Sequence, residues 1–300
     1  MKCYKPILIT YHKRDEDGNK VTGEKHLMVR CGKCLACREE IAKEYTYRFM
    51  NEYKYFTYLY FITLTYEDDK LPRNAEGYET LDKKEITDYL KTININVKRH
   101  LPNEEYKYFV AGEYGDQTMR PHYHVSILCN NTKVAQLFIE KWHKGRIDFQ
   151  AGDMRSVFYV IGYSNKKIGD NDSFYETNNI EKPFRKLSRG LGKTYYEENK
   201  NNLAGQYYGK LGNTRIALPN YYKNKLKGDD LVDIQELEKK ALENNDKLIE
   251  YYIKTYKENY TLFDYYNDKG LYNAHVKETL EQRERNYKAK YLMKKSRKKI

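Results

Sequence analysis

Two histidines one residue apart, His122 and His124, sit in Arg120-Pro-His-Tyr-His-Val125 and run on into the apolar Ser126-Ile127-Leu128. The pattern reads as a β-strand, in which side chains at i and i+2 leave the same face. Both imidazoles then converge on one point, which is the beginning of a metal site. Glu113 closes the strand read just before them, and a tight return brings its carboxylate beside the pair. Two imidazoles and one carboxylate leave positions open for water and a phosphate oxygen, as a Lewis-acid metal requires. Spacing alone does not separate this arrangement from a pair of satisfied sheet histidines.

A nucleophile is offered farther along, in Tyr159-Val-Ile-Gly-Tyr163-Ser-Asn-Lys166-Lys167. The two phenols are at i and i+4, on one face of a helix. Lys166 and Lys167 follow Tyr163 by three and four residues, and an ammonium there can stabilise a phenolate or pair with a phosphate. Tyrosine becomes a competent covalent nucleophile when a cation offsets its pKa near 10. The plainer alternative, in a chain with 33 tyrosines, is an aromatic helix face packed on a sheet.

A separate cluster, Cys31-Gly-Lys-Cys34-Leu-Ala-Cys37, gives three soft ligands, and Cys3 can supply the fourth for a tetrahedral structural zinc. His12 and His26 are alternative fourth ligands, and three free thiols are the alternative to any metal. Five cysteines in all do not form a secreted disulfide framework, which favours a reducing, intracellular compartment.

These residues must be positioned by the elements around them. A short strand is read at Ile7–Tyr11, a turn at Asp17-Gly18, and a helix over 38–56. Phe61–Tyr66 alternates as a strand, and Thr80 opens a helix that runs to about His100, with a capping box to Lys83 weakened by that lysine. Tyr106–Ala111 is a strand, Val134–His143 a helix, Arg146–Phe149 a strand and Val157–Lys167 a helix. That order points to an α+β domain, a central and mainly antiparallel sheet flanked by helices. Beyond Gly169 the chain turns polar and Asn-rich, then Gly-rich, and 230–260 and 274–295 read as charged helices. The expected division is a catalytic domain over 1–225, cysteine cluster included, and a charged helical appendage over 226–300.

The formal charge of +12 favours a polyanionic partner, and residues 281–300 carry nine Lys/Arg against two Glu, a net +7. No apolar run is long enough to span a bilayer, so no membrane role is expected.

Several of these motifs, in this order, resemble the HUH endonucleases, and among them the rolling-circle replication initiators of microviruses, small single-stranded DNA phages. The resemblance rests on Phe61-Ile-Thr-Leu-Thr-Tyr66, Gly112-Glu-Tyr-Gly115, the His122/His124 strand and Tyr159-x-x-x-Tyr163-x-x-Lys-Lys. Cys3-Tyr-Lys-Pro6, the cysteine cluster, Ser188-Arg-Gly-Leu-Gly192 and Leu218-Pro-Asn-Tyr-Tyr222 extend it over roughly residues 1–225. It implies a ferredoxin- or RRM-like fold, with Mg²⁺ or Mn²⁺ on His122, His124 and Glu113. A tyrosine would then attack a phosphate of single-stranded origin DNA, leaving a 5′-phosphotyrosine and a 3′-hydroxyl for the polymerase and helicase of the bacterial host cytoplasm. Related two-tyrosine initiators often carry a lysine just before the second tyrosine, where this chain has Gly162. The pattern of tyrosine, two residues and lysine is met by Tyr163 and Lys166, so Tyr163 is the expected nucleophile and Tyr159 its partner.

A plasmid relaxase or transposase of the same superfamily is the nearest alternative reading, and a noncatalytic single-strand binder stacking bases on tyrosines the alternative of another class. Two motifs are set aside. Gly190-Leu-Gly-Lys-Thr194 imitates the end of a phosphate-binding loop, but Leu187 stands where a glycine is needed and no strand is read before it. Trp142 reads as packed, with His143 on the surface. The basic end Lys294–Lys299 is either a solvated tail or a nonspecific contact to the DNA backbone.

Overall fold

The computed structural model describes residues 3–14, 20–167, 172–206, 208–233, 240, 243–244, 247 and 277–297, with the side chains of 8, 10–28, 163–167, 291–292 and 294–297 outside the described set. The Asp17-Gly18 turn, most of the helix read over 230–260, and the side chains of the basic end therefore lie outside the described residues.

The chain divides into two compact units, residues 39–226 and residues 1–38 with 227–300. The expected boundary near residue 225 reappears, but the first 38 residues group with the C-terminal segment rather than with the sheet. The unit that holds the N-terminus opens with a hairpin, β1 (Ile7–Arg14) and β2 (Lys20–Val29), paired antiparallel from Ile7↔Val29 upward. Only the first of these strands is legible in the sequence.

The central sheet is in the larger unit, which α1 (Leu35–Tyr53) enters. Its strands are β3 (Tyr58–Leu64), β4 (Tyr106–Tyr114), β5 (Pro121–Cys129), β6 (Ile147–Ala151) and β7 (Phe184–Leu187). The order is β6-β3-β5-β4-β7, and every neighbouring pair is antiparallel. The α+β class and antiparallel sheet stand as expected.

Two helices cover one face. In α2 (Lys83–His100), Ile86, Tyr89, Leu90, Ile93 and Val97 recur at helical spacing and are buried. In α3 (Thr132–Glu140), Val134, Ala135 and Phe138 do the same. They pack with Ile62, Leu64, Val110, Tyr123, Val125 and Ile127 of the sheet. The cap of α2 is not Thr80: Asp82 accepts from the Glu85 N–H at 2.8 Å, satisfying a donor the first turn leaves open. Trp142 is buried in this layer, donating to the Thr65 carbonyl at 3.0 Å, and His143 is exposed, as read.

The opposite face packs Phe61, Phe109, Ala111 and Leu128 against Phe49 of α1 and against Val157, Val160 and Ile161 of α4 (Met154–Lys167). Strand alternation sends Tyr123 one way and the flanking histidines the other. The Tyr123 hydroxyl donates to the Asp82 carbonyl and accepts from the Asp82 N–H, both at 3.0 Å, so the residue between the histidines anchors the start of α2.

The chain then continues through α5 (Asp172–Thr177), α6 (Lys193–Gln206), the hairpin β8 (Tyr208–Leu211) and β9 (Thr214–Ala217), and α7 (Asn220–Gly228). A final helix, α8 (Lys277–Arg297), matches the charged helix read over 274–295.

Gly145 closes the turn into β6, where Thr65 N–H donates to the Arg146 carbonyl and Glu67 N–H to the Lys144 carbonyl. A Cβ on Gly145 would fall 2.5 Å from both the Thr65 oxygen and the Glu67 nitrogen. Because those neighbours are backbone, they can yield only by breaking this pairing. Gly145→Ala is expected to destabilise the fold by about 2–3 kcal/mol, lowering Tm by roughly 5–10 °C. A thermal melt within a degree of the parent would contradict the close approach.

Candidate metal and nucleophile site

The sheet register assembles the site. Glu113 of β4 lies opposite His122 of β5, and Ala111 opposite His124. On the other side of β5, Thr63 of β3 lies opposite His124. Directly paired residues share a face, so Glu113, His122, His124 and Thr63 all project from one side.

Glu113 Oε1 stands 2.9 Å from His124 Nε2 and 3.7 Å from His122 Nε2, and the two Nε2 atoms are 3.2 Å apart. Glu113 is 2% exposed, so the carboxylate is held out of water. His122 Nδ1 is 3.2 Å from the Arg120 carbonyl, which only accepts, so that nitrogen carries the proton and Nε2 presents its lone pair inward. His124 Nδ1 is 3.1 Å from Thr63 Oγ1, a partner that can accept in the same way. With both rings so oriented, two lone pairs and a carboxylate face one another, which is repulsive unless a cation lies among them.

The fit to a hard divalent ion can be judged from the donor spacings. Donors at neighbouring octahedral positions around Mg²⁺ are about 2.9 Å apart, given bond lengths of about 2.0–2.1 Å. The three spacings of 2.9, 3.2 and 3.7 Å begin at that value, and the N₂O set on one face leaves the opposite positions to solvent and substrate. The residues fit the ion.

Thr63 is a member of the site that the sequence motifs do not announce. Outer partners of metal-bound histidines fix the tautomer and ring orientation. Thr63→Val keeps the shape but removes the oxygen, and is expected to weaken Mn²⁺ binding by about 10–100-fold in a calorimetric titration. An unchanged affinity would remove Thr63 from the site.

The nucleophile helix α4 lies on the same face of the sheet. Val157, Val160 and Ile161 are buried against it, while Tyr159 is 54% exposed. The Tyr159 ring centroid is 6.4 Å from that of His124, with the planes at 75°. His124 is itself stacked on Phe61 at 5.4 Å, which fixes its plane. Burial raises the Tyr159 pKa above its ordinary value, and the carboxylates of Glu113 and Asp116 raise it further. A cation bound beside Glu113 opposes the second of these causes directly. Tyr163, Lys166 and Lys167 continue α4, but their side chains lie outside the described residues. A Cβ on Gly162 would meet nothing within 4 Å, so packing does not exclude the lysine that related chains carry there.

One further residue of this face escapes a reading of the sequence. The register continues Thr63–His124–Ala111–Arg185, which puts Arg185 of β7 about 10 Å from His124, two strands away on the same face. Its guanidinium lies 4.8 Å from the Tyr45 ring centroid. A four-residue strand behind Pro183 is too short for alternation to reveal.

The discarded phosphate-loop motif needs one correction: β7 does precede it. The missing glycine at Leu187 remains, and the Thr194 hydroxyl donates to Glu52 Oε1 at 2.9 Å, so it is engaged within the fold. Cys3, Cys31, Cys34 and Cys37 come together in the unit of residues 1–38 and 227–300, their sulfurs within 4.8 Å of one another. Among the described residues, no helix is long and apolar enough to cross a membrane.

Residues 59–168, which hold β3, Glu113, both histidines and α4, match the sequence model of a family described as replication-associated protein ORF2. The chain is 27% identical over 248 residues to replication-associated protein VP4 of Bdellovibrio phage phiMH2K, covering 75% of this chain and 76% of that protein. It is 28% identical over 218 residues to replication-associated protein ORF2 of Spiroplasma virus 4, covering 66% and 67%. With replication-associated protein ORF4 of Chlamydia phage 1 it shares 24% identity over 235 residues, 71% of this chain and 57% of that one. No solved structure matches it. The chain is thus a relative of the phage replication-associated proteins, and its match to their family model falls on the strands and helix that build the site.

Proposed function

We propose that this chain is a replication initiator that nicks and rejoins single-stranded origin DNA in rolling-circle replication, through a 5′-phosphotyrosyl intermediate, in the host cytoplasm. The observation that carries the reading is the convergence of Glu113, His122 and His124 with the Tyr159 ring 6.4 Å from His124. A carboxylate, two imidazoles and a phenol on one sheet face are the parts that metal-assisted phosphoryl transfer to tyrosine requires.

Glu113, His122 and His124 would hold Mg²⁺ or Mn²⁺, which supplies Lewis-acid polarisation of the scissile phosphate and offsets its developing charge. Thr63 and the Arg120 carbonyl keep both Nε2 lone pairs turned inward. Tyr159 Oη attacks phosphorus and gives up its proton, the bond from phosphorus to O3′ breaks, and the departing oxygen takes a proton to become the free 3′-hydroxyl. Tyr163, one helical turn on, is the partner for the reverse attack that rejoins a strand, with Lys166 and Lys167 to pair with phosphate. Proximity to His124 supports Tyr159 as the first nucleophile, whereas lysine spacing favours Tyr163; the fold supplies the stronger of the two arguments because attack requires contact with the activated phosphate. The formal charge of +12 supports a DNA partner.

The test is incubation with single-stranded phage-type origin DNA and Mn²⁺, followed by mass spectrometry of the peptide that carries the nucleotide. A nucleotide on the α4 peptide, absent in chelator, is the expected result. Oligonucleotide binding that is equal in chelator, with no adduct under any metal, would make the chain a noncatalytic single-strand binder.

A further inference from the structure

The cysteine cluster takes no part in the chemistry above, yet its geometry is specific. We propose that Cys3, Cys31, Cys34 and Cys37 bind one Zn²⁺ as a closed tetrathiolate that fastens the base of the β1–β2 hairpin to the start of α1.

The sulfur spacings carry the argument. Cys3 Sγ lies 3.6 Å from Cys31 Sγ and 3.9 Å from Cys34 Sγ, and Cys31 Sγ lies 3.9 Å from Cys37 Sγ. All five cysteines are free, and a disulfide would need sulfurs about 2.05 Å apart. Four sulfurs held tetrahedrally at the usual Zn–S length of about 2.3 Å are about 3.8 Å from one another. The observed spacings bracket that edge.

The backbone around the sulfurs suits thiolates rather than thiols. Cys31 N–H donates to Cys3 Sγ, Lys33 and Cys34 N–H to Cys31 Sγ, and Tyr4 N–H to Cys34 Sγ, over 3.3–3.5 Å. Such donors offset charge on a metal-bound sulfur. Gly32, at φ +72°, makes the turn that points several of these amides inward, and a Cβ there would meet nothing, so backbone conformation and not space requires the glycine. Cys34 directly precedes α1 and Cys37 lies in its first turn, where the helix dipole favours anionic sulfur.

Topology also selects the fourth ligand. Cys3 lies just before β1 and Cys31 just after β2, and Ile7↔Val29 is the first rung between them. His26 is opposite Thr10, three rungs higher, and His12 opposite Glu24, five rungs higher, or about 10 and 16 Å up the hairpin. Cys3 is therefore the ligand the fold supplies. Four sulfurs leave no open position, so the site is structural. The segment so fastened also receives α8, because the Tyr4 ring centroid is 5.6 Å from that of Tyr287 and Lys5 pairs with Glu284 at 3.4 Å.

Elemental analysis of full-length protein purified without chelator tests this. One zinc per chain is expected, retained in a His122→Ala/His124→Ala variant and in Cys129→Ser, and lost in Cys34→Ser. Should Cys34→Ser fail to fold, cobalt substitution of the parent chain decides: tetrahedral d–d bands with strong sulfur-to-cobalt charge transfer are expected. Zinc that disappears with the histidines, absence of zinc from the parent, or cobalt spectra lacking sulfur charge transfer would each overturn the proposal.

Discussion

Tyr159→Phe is expected to abolish covalent capture of origin DNA, lowering single-turnover cleavage by at least about 10³-fold. The substitution deletes one oxygen from a side chain that is 54% exposed, so the fold and its melting temperature should hardly move. Binding of the uncleaved oligonucleotide should also survive, because backbone contacts carry most of the affinity. Tyr163→Phe is the informative companion. If proximity to His124 selects the first nucleophile, Tyr163→Phe still forms the first adduct and loses the second transfer. Full adduct formation by Tyr159→Phe, with none by Tyr163→Phe, would reverse the two roles and restore the assignment suggested by lysine spacing. The raised pKa of Tyr159 gives this experiment a second use. Its phenol is the neutral form over the ordinary range, so the chemistry depends on the cation that the neighbouring carboxylate and imidazoles hold.

The double variant His122→Ala/His124→Ala is expected to lose cleavage by at least about 10³-fold while still binding single-stranded DNA within a few-fold of the parent. Removing an outer partner of a metal ligand costs about 10–100-fold, and loss of two ligands must exceed that. Chelation of the parent protein should reproduce the effect, and added Mn²⁺ should reverse it. Glu113→Gln separates charge from shape: it keeps the side-chain length beside His124 but removes the negative charge facing the two lone pairs. Its Mn²⁺ affinity should fall between those of the parent and the double variant. Cleavage that proceeds unchanged in chelator would remove the metal from the mechanism, whatever the tyrosine variants show.

How much of this is legible before the fold depends on the range of the interaction. The histidine strand can be read because its period of two is a local property: Tyr123 has to turn away from His122 and His124 whatever the strand pairs with. Helix α4 is legible for the same reason, with Val157, Val160 and Ile161 recurring at helical spacing. The cap of α2 is ambiguous in sequence because Thr80 and Asp82 are both good capping residues, and only the docking of Tyr123 on Asp82 decides where the first turn begins. β7 is invisible because four residues hold no usable periodicity, and with it goes Arg185.

By itself, then, the sequence determined which residues share a face of one strand or one helix, the α+β class, the basic charge and the cysteine triplet with a candidate fourth thiol. Only the tertiary structure decided the register, and register decides chemistry: a slip of one residue between β4 and β5 would carry Glu113 to the far side of the sheet. Pairing Glu113 with His122 and Thr63 with His124, laying α4 so that Tyr159 rather than a buried neighbour meets the imidazole, and closing the hairpin so that Cys3 reaches Cys31 are all contacts between residues distant in the chain. Their geometry is set by the packing of two cores on opposite faces of one sheet and by the closing of a separate hairpin, and no local pattern encodes either.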